Sequence, residues 1–253
     1  MSTRANAKAR ELIEKYCIND PSDLNVRDIA NAENLMIKEE DTKGHVGRIY
    51  KDEEGGIITI DSKIKEAGRK NFTVAHEVGH YMLEKERERY CSNEDLMTYG
   101  DKKYYEREAN IFAAELLMPV EWVREYVKWK DDAIETFEEA ARMFGTTLSS
   151  MSLRYAECGK YPIAVIFTKD GRVKWSCINI YFPFKYVEHN QKVNSFSKAY
   201  EFYQKKEIDR EPNDILADAW FLKDFNYERE RYMIEQNLPM KKLNAVLTFL
   251  WEL

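Results

Sequence analysis

His76, Glu77 and His80 stand inside "NFTVAHEVGHYML", an otherwise apolar run at residues 71–83. The chain has four histidines, and two of them fall here, four positions apart. In a helix, residues four apart project from one face a turn apart, so both imidazoles can reach one point. Glu77 follows His76 directly and lies off that row, beside the same cleft. This is the H-E-x-x-H arrangement, in which the two imidazoles bind Zn²⁺ and the glutamate polarises the attacking water. The plain alternative is a core helix with two incidental histidines and a surface glutamate.

A hydrolytic zinc needs a third protein ligand and one open position. His45 and His189 are far off in sequence, and no H-x-x-G-x-x-H extension follows the motif. The better source is "YYEREANIFAAELLMP" at 104–119, a strong helical pattern carrying Glu106, Glu108 and Glu115. Glu106 and Asn110 are four apart and share a face. Spacing favours Glu106 as third ligand, with Glu108 the alternative, and gives Asn110 a supporting role. The Asn110 amide can accept from a ligand imidazole N–H and so set its tautomer. Tyr105, Ala109, Phe112, Ala113 and Leu116 form the expected packing stripe, and Ala109 and Ala113 would let two helices approach closely. The competing reading is a surface helix laced with salt bridges, in which none of the glutamates touches a metal.

The elements that must position these residues follow from the periodicity. Residues 4–17 predict an amphipathic helix, and a shorter one follows near 24–33. "LMIKEE", "HVGRIYK" and "GIITID" predict three short strands, with "DEEGG" at 52–56 as a hairpin-type turn. From about 64 to 157 the pattern is helical, broken by a polar loop over 86–101. Pro119 ends one helix and suits the first turn of the next. "PIAVIFTKDGRVKWSCINIYF" reads as a hairpin around "KDG", and helices are expected near 195–206 and 241–252.

Length and composition bound the rest. At 253 residues, 44% hydrophobic and 33% charged, the chain can bury a core in one large domain or two small ones. A formal net charge of −6 supplies no global pull toward nucleic acid. Cys17, Cys91, Cys158 and Cys177 are scattered, without a C-x-x-C pair, so reduced thiols are expected. The N-terminus lacks the apolar core of a signal peptide, and the longest apolar runs are too short to cross a bilayer. A soluble, cytoplasmic protein is the expectation.

"FTVAHEVGHYML" followed by "EREANIFAAELLMP" resembles the ImmA/IrrE family of metallopeptidases, whose hallmarks are F-T-x-A-H-E-x-G-H and then E-x-x-A-N-x-F-A-A-x-L-L-M-P. The likeness spans roughly residues 5–158 and is strongest at 72–119. It implies His76 and His80 as metal ligands, Glu77 as the catalytic glutamate, and Glu106, not Glu108, as third ligand. It also agrees with the support of a histidine by Asn110. The implied fold is α+β: a mostly helical, zincin-like core with a small three-stranded sheet, a helical hairpin, and a smaller mixed domain. The expected division is 1–130 for the peptidase core, 131–158 for a helix-turn-helix-like segment and 159–253 for a C-terminal domain of unassigned role. The implied activity is zinc-dependent endoproteolysis of narrow specificity, with Mn²⁺ or Fe²⁺ as other metals such ligands accept. The implied substrate is a helix-turn-helix repressor on a mobile element or in a stress response.

Other features carry blander readings. The segment 138–159 has a helix-turn-helix rhythm, but Arg142 and Arg154 face Glu138, Glu139 and Glu157, which is no basic recognition face. It reads as a packing hairpin, and direct DNA binding is not expected. Trp175, Tyr181, Phe182, Phe184 and Tyr186 read as core before ligand pocket, and His189 as a surface or loop residue. The rival class for the whole chain is a transcriptional regulator or protein-binding module that keeps the peptidase fold without catalysis. A peptidase latent until a partner activates it is a third. The presence of Glu77 argues for the enzyme, since a pure binding module has no use for it.

Overall fold

The structure is a computed structural model that describes residues 4–51, 54–83, 88–91, 104–224 and 231–252, with 88–91 described in backbone alone. The chain divides into two compact units. The first comprises residues 1–122 and 140–150, the second 123–139 and 151–253. The boundaries pass through three helices, α5 (Val120–Tyr126), α6 (Ala133–Met143) and α7 (Leu148–Cys158).

The first unit begins with α1 (Arg4–Lys15), which buries Ala5, Ala9 and Leu12, and α2 (Val26–Ala32), whose Asn25 cap accepts from the Arg27 amide. Strands β1 (Leu35–Glu40), β2 (Gly47–Lys51) and β3 (Gly56–Asp61) follow where alternation predicts them. A fourth strand, β4 (Glu88–Cys91), lies inside the stretch expected to be a loop. Its four residues are too few to show a period; the free edge of β2 recruits it, pairing Gly47 with Cys91 and Tyr50 with Glu88. The sheet order is β1-β3-β2-β4, with β1 parallel to β3 and the other pairs antiparallel. Residues 52–53 of the expected "DEEGG" turn and 86–87 and 92–101 of the expected loop lie outside the described residues.

Two helices form the middle of this unit: α3 (Ala67–Leu83) and α4 (Tyr104–Leu117). Every residue of α3 from Thr73 to His80 is buried, so its polar side is enclosed as well as its apolar one. On α4, Ala109, Phe112, Ala113 and Leu116 are fully buried as expected, but Tyr105 is 44% exposed and leaves the stripe. Tyr105 instead meets the Tyr104 ring edge-on. Glu115 is buried and accepts from Arg10 Nε of α1 at 2.6 Å, so this glutamate of "AAELL" is a structural ion pair. Near the N-terminus of α3, a Cβ on Gly68 would lie 2.2 Å from the Thr146 carbonyl, and Asn71 Nδ2 donates to Gly145 O at 2.8 Å.

The second unit is built on an antiparallel sheet ordered β6-β5-β9-β8-β7. The predicted hairpin is β5 (Ala164–Lys169) and β6 (Arg172–Ile178), turned at Asp170 and Gly171, both at positive φ as a tight hairpin turn requires. The expected helix near 195–206 is α8 (Lys198–Tyr203). The helix expected over 241–252 is not one. A 3₁₀ turn at Lys241–Leu243 leads into β9 (Ala245–Trp251), the central strand, with all seven residues buried. A short run apolar on both faces has no period to separate buried strand from buried helix. Strands β7 (Asn213–Leu216) and β8 (Tyr232–Met240) were equally unmarked. Phe182 and Phe184 are core, stacked with Phe221, whereas Tyr181 and Tyr186 are exposed, as is His189. In α7, Met151, Ser152, Tyr155 and Ala156 are buried, in keeping with a packing helix. No helix among the described residues is long and apolar enough to cross a membrane.

Glu235 of β8 is fully buried, yet it ties three elements together. Its carboxylate accepts from Ser197 Oγ at 2.6 Å, the Lys198 amide at 2.8 Å and Trp220 Nε1 at 2.9 Å. Burial pushes its pKa up, and these donors only partly offset it. A carboxyl whose pKa is raised by folding contributes stability below the unfolded value, about 4.3, and loses it as pH rises through the folded value. Glu235→Gln is neutral throughout, so its stability relative to wild type should improve as pH is raised from about 4. Denaturant unfolding of both proteins between pH 4 and 8 checks this, and a trend of opposite sign would refute it.

Candidate metal centre

The α3–α4 crossing sets the site. A Cβ on Gly79 would stand 3.2 Å from Ala109 Cα and from its carbonyl oxygen, and 3.1 Å from Phe112 Cδ1. Lacking one, α3 comes close enough for a first-turn side chain of α4 to reach its histidines. That side chain is Glu106, 5% exposed; Glu108, the alternative, is only partly buried and is not among the converging residues.

His76 Nε2, His80 Nε2 and Glu106 Oε2 converge. The two nitrogens are 3.0 Å apart, and Glu106 Oε2 lies 3.3 Å from His76 and 3.5 Å from His80. Among the described residues these three form the one cluster of His, Cys and carboxylate ligands close enough to hold an ion. Tetrahedral zinc with bonds of about 2.0–2.1 Å would separate its ligand atoms by about 3.3 Å. The observed triangle, with sides of 3.0, 3.3 and 3.5 Å, is close to one face of such a tetrahedron, so these three residues could hold a metal ion.

The electrostatics agree. Burial is the largest influence on His76 and pushes its pKa down, outweighing the hydrogen bonds to Glu106 and Asn110. Burial opposes ionisation of Glu106, but the adjoining His76 and His80 imidazoles outweigh it and hold the carboxyl far below its usual range. A neutral imidazole and an ionised carboxylate are the ligating forms. His76 Nδ1 lies 2.9 Å from Asn110 Oδ1. Asn110 Oδ1 can only accept, so Nδ1 carries the proton and the Nε2 lone pair faces the other two donors.

Glu77 is fully buried and turned toward β2, where a Cβ on Gly47 would come 2.5 Å from Glu77 Oε1 and 2.7 Å from Thr73 Cγ2. Gly47 thus makes the slot its carboxylate occupies. At the other end of β2, Lys51 Nζ donates to His80 O at 2.9 Å and approaches Tyr81 O at 3.4 Å. Neither residue was singled out by sequence reasoning. A signal existed for both: in "HVGRIYK", Gly47, Ile49 and Lys51 alternate onto one strand face, and a glycine and a lysine there are odd beside a core.

The family model for the IrrE N-terminal-like domain (Peptidase_M78) matches residues 30–155, the stretch that contains all four motif residues. "Uncharacterized immunity region protein 2" of Bacillus phage phi105 is 33% identical over 122 residues, covering 48% of this chain and 72% of that protein. Among solved structures, a Mycobacterium tuberculosis transcriptional regulator aligns with a TM-score of 0.55 at 10% identity, over 98% of this chain and 75% of that one. At that identity the likeness is one of fold. Sequence motif, family model and phage relative agree, and the chain belongs to the ImmA/IrrE family of peptidase-fold proteins, by way of its IrrE N-terminal-like domain.

Proposed function

We propose that this protein is a metal-dependent endopeptidase of narrow specificity that acts in the cytoplasm on a helix-turn-helix repressor or similar regulatory protein. The observation that carries the reading is the buried triangle of His76, His80 and Glu106, with donor spacings of 3.0, 3.3 and 3.5 Å. Zn²⁺ suits two imidazoles and a carboxylate best, and Mn²⁺ and Fe²⁺ accept the same ligands. The relative named for a phage immunity region supports a regulatory substrate on a mobile element over bulk degradation.

When bound, the metal supplies Lewis acidity, polarising a scissile carbonyl and making water acidic enough to attack it. Glu77 takes the proton of that water and returns it to the departing amine. Asn110 keeps His76 in the Nδ1–H tautomer and its ring fixed. Gly47 leaves the Glu77 carboxylate room to lie where it does.

Three measurements test this. Metal content of the purified protein should be about one equivalent in wild type and in Glu108→Ala, and should fall away in His76→Ala and Glu106→Ala. Retention of metal by Glu106→Ala would remove the third ligand. Glu77→Gln should keep its metal and lose about 10²–10⁴-fold in cleavage of a repressor from the encoding genome, with new N-termini read by mass spectrometry. Full cleavage by that variant would end the mechanism, and metal binding without cleavage by the wild type would favour the non-catalytic regulator. Gly47→Ala should also keep its metal but lose about 10²-fold in kcat, as a displaced general base does, with KM little changed. An unaltered kcat would show that the Gly47 slot does not position Glu77.

A further inference from the structure

We propose that Lys51 is a positioning residue of the metal centre: from β2, its ammonium fastens the last turn of α3 and so holds the His80 imidazole at the point where the other donors meet. The inference rests on the reading of His76, His80 and Glu106 as metal ligands.

His80 stands in the last described turn of α3, Ala67–Leu83. His76, a turn earlier, has Asn110 to fix its ring. Lys51 offers the corresponding hold at the backbone of His80, with Nζ 2.9 Å from His80 O and 3.4 Å from Tyr81 O. The ammonium also lies 5.7 Å from the Tyr81 ring centroid, within reach of a cation–π attraction.

Burial argues against an incidental contact. Lys51 is 7% exposed, and lysines are almost never buried unless their charge is satisfied. It occupies the same strand face as Gly47 and Ile49, where an apolar side chain would serve packing alone. One strand therefore meets the motif twice, making room for Glu77 at one end and gripping His80 at the other.

The test uses the full chain with Lys51→Met, which keeps length and loses the donors, and Lys51→Arg, which restores donors and charge. In metal-free protein, Lys51→Met should exchange the amide hydrogens of residues 80–83 about tenfold faster, with the rest of α3 unchanged. Its affinity for Zn²⁺, measured by competition with a chromophoric chelator, should fall about tenfold, and the visible spectrum of its Co²⁺ form should broaden. Lys51→Arg should recover both. Should Lys51→Met fail to fold, Lys51→Gln, which keeps one donor group, is expected to show the same changes at smaller size. Folded Lys51→Met or Lys51→Gln with wild-type exchange and Zn²⁺ affinity within about twofold would overturn the role of Lys51 alone. A wild-type protein that takes up no Zn²⁺ would overturn the metal reading, and this role with it.

Discussion

At Gly79 the backbone of α3 comes so close to Ala109 of α4 that a single added carbon would lie 3.2 Å from the facing carbonyl. The rest of the first unit depends on that approach. It brings the first turn of α4 within reach of two imidazoles one turn apart on α3. A larger residue at 79 would separate the helices and take Glu106 away from both histidines. Phe112, fully buried against the same contact, fills the space beside it. The second half of the family motif thus encodes a packing surface as well as the carboxylate of Glu106: Ala109 and Phe112 are what Gly79 packs against.

Enclosing polar groups this way is costly, and the surrounding contacts show how the cost is met. His76, Glu77, His80 and Glu106 are all buried, in a helix pair otherwise lined with alanine, valine and phenylalanine. An unpaired buried charge is strongly destabilising, so each such group must have a defined neighbour. His76 has Asn110, and the backbone of the His80 turn has Lys51. Glu115 farther along α4 is matched by Arg10. Two roles for glutamate on one helix are thereby separated by surroundings: Glu106 faces imidazoles that can share a cation, and Glu115 faces a guanidinium that is already one.

The second unit uses the same chemistry for another end. Glu235 is as buried as His76 and His80, but it accepts from a hydroxyl, an amide and an indole, all fixed parts of one fold. Gln236 beside it accepts from the Ile134 amide and donates to Asp132 and to the Arg210 carbonyl, joining the start of α6 to β8. This polar row on an inner strand is fully engaged in holding elements together. It explains a sheet strand that carries Glu, Gln and Asn where apolar residues are the rule.

The residues by themselves determined the row of two histidines. Four-residue spacing puts His76 and His80 on one helix face whatever surrounds them, and the same rule pairs Glu106 with Asn110. Periodicity also marked α1 and α2, and the first three strands and the β5–β6 hairpin were marked by short β-branched runs between turn residues. Where both faces are buried the period vanishes, and β9 read as a helix for that reason; β4 was too short to have a period at all. Only the tertiary structure decided which of Glu106, Glu108 and Glu115 meets the histidines on physical grounds, since that depends on the crossing of two helices and not on spacing within either. It alone showed that the polar side of α3 is enclosed, and that β2 supplies Gly47 and Lys51 to its two ends. Contacts between a strand and a helix far along the chain follow no local rule of spacing, so a local pattern could mark Gly47 and Lys51 as odd on a core-facing strand but not say what they meet.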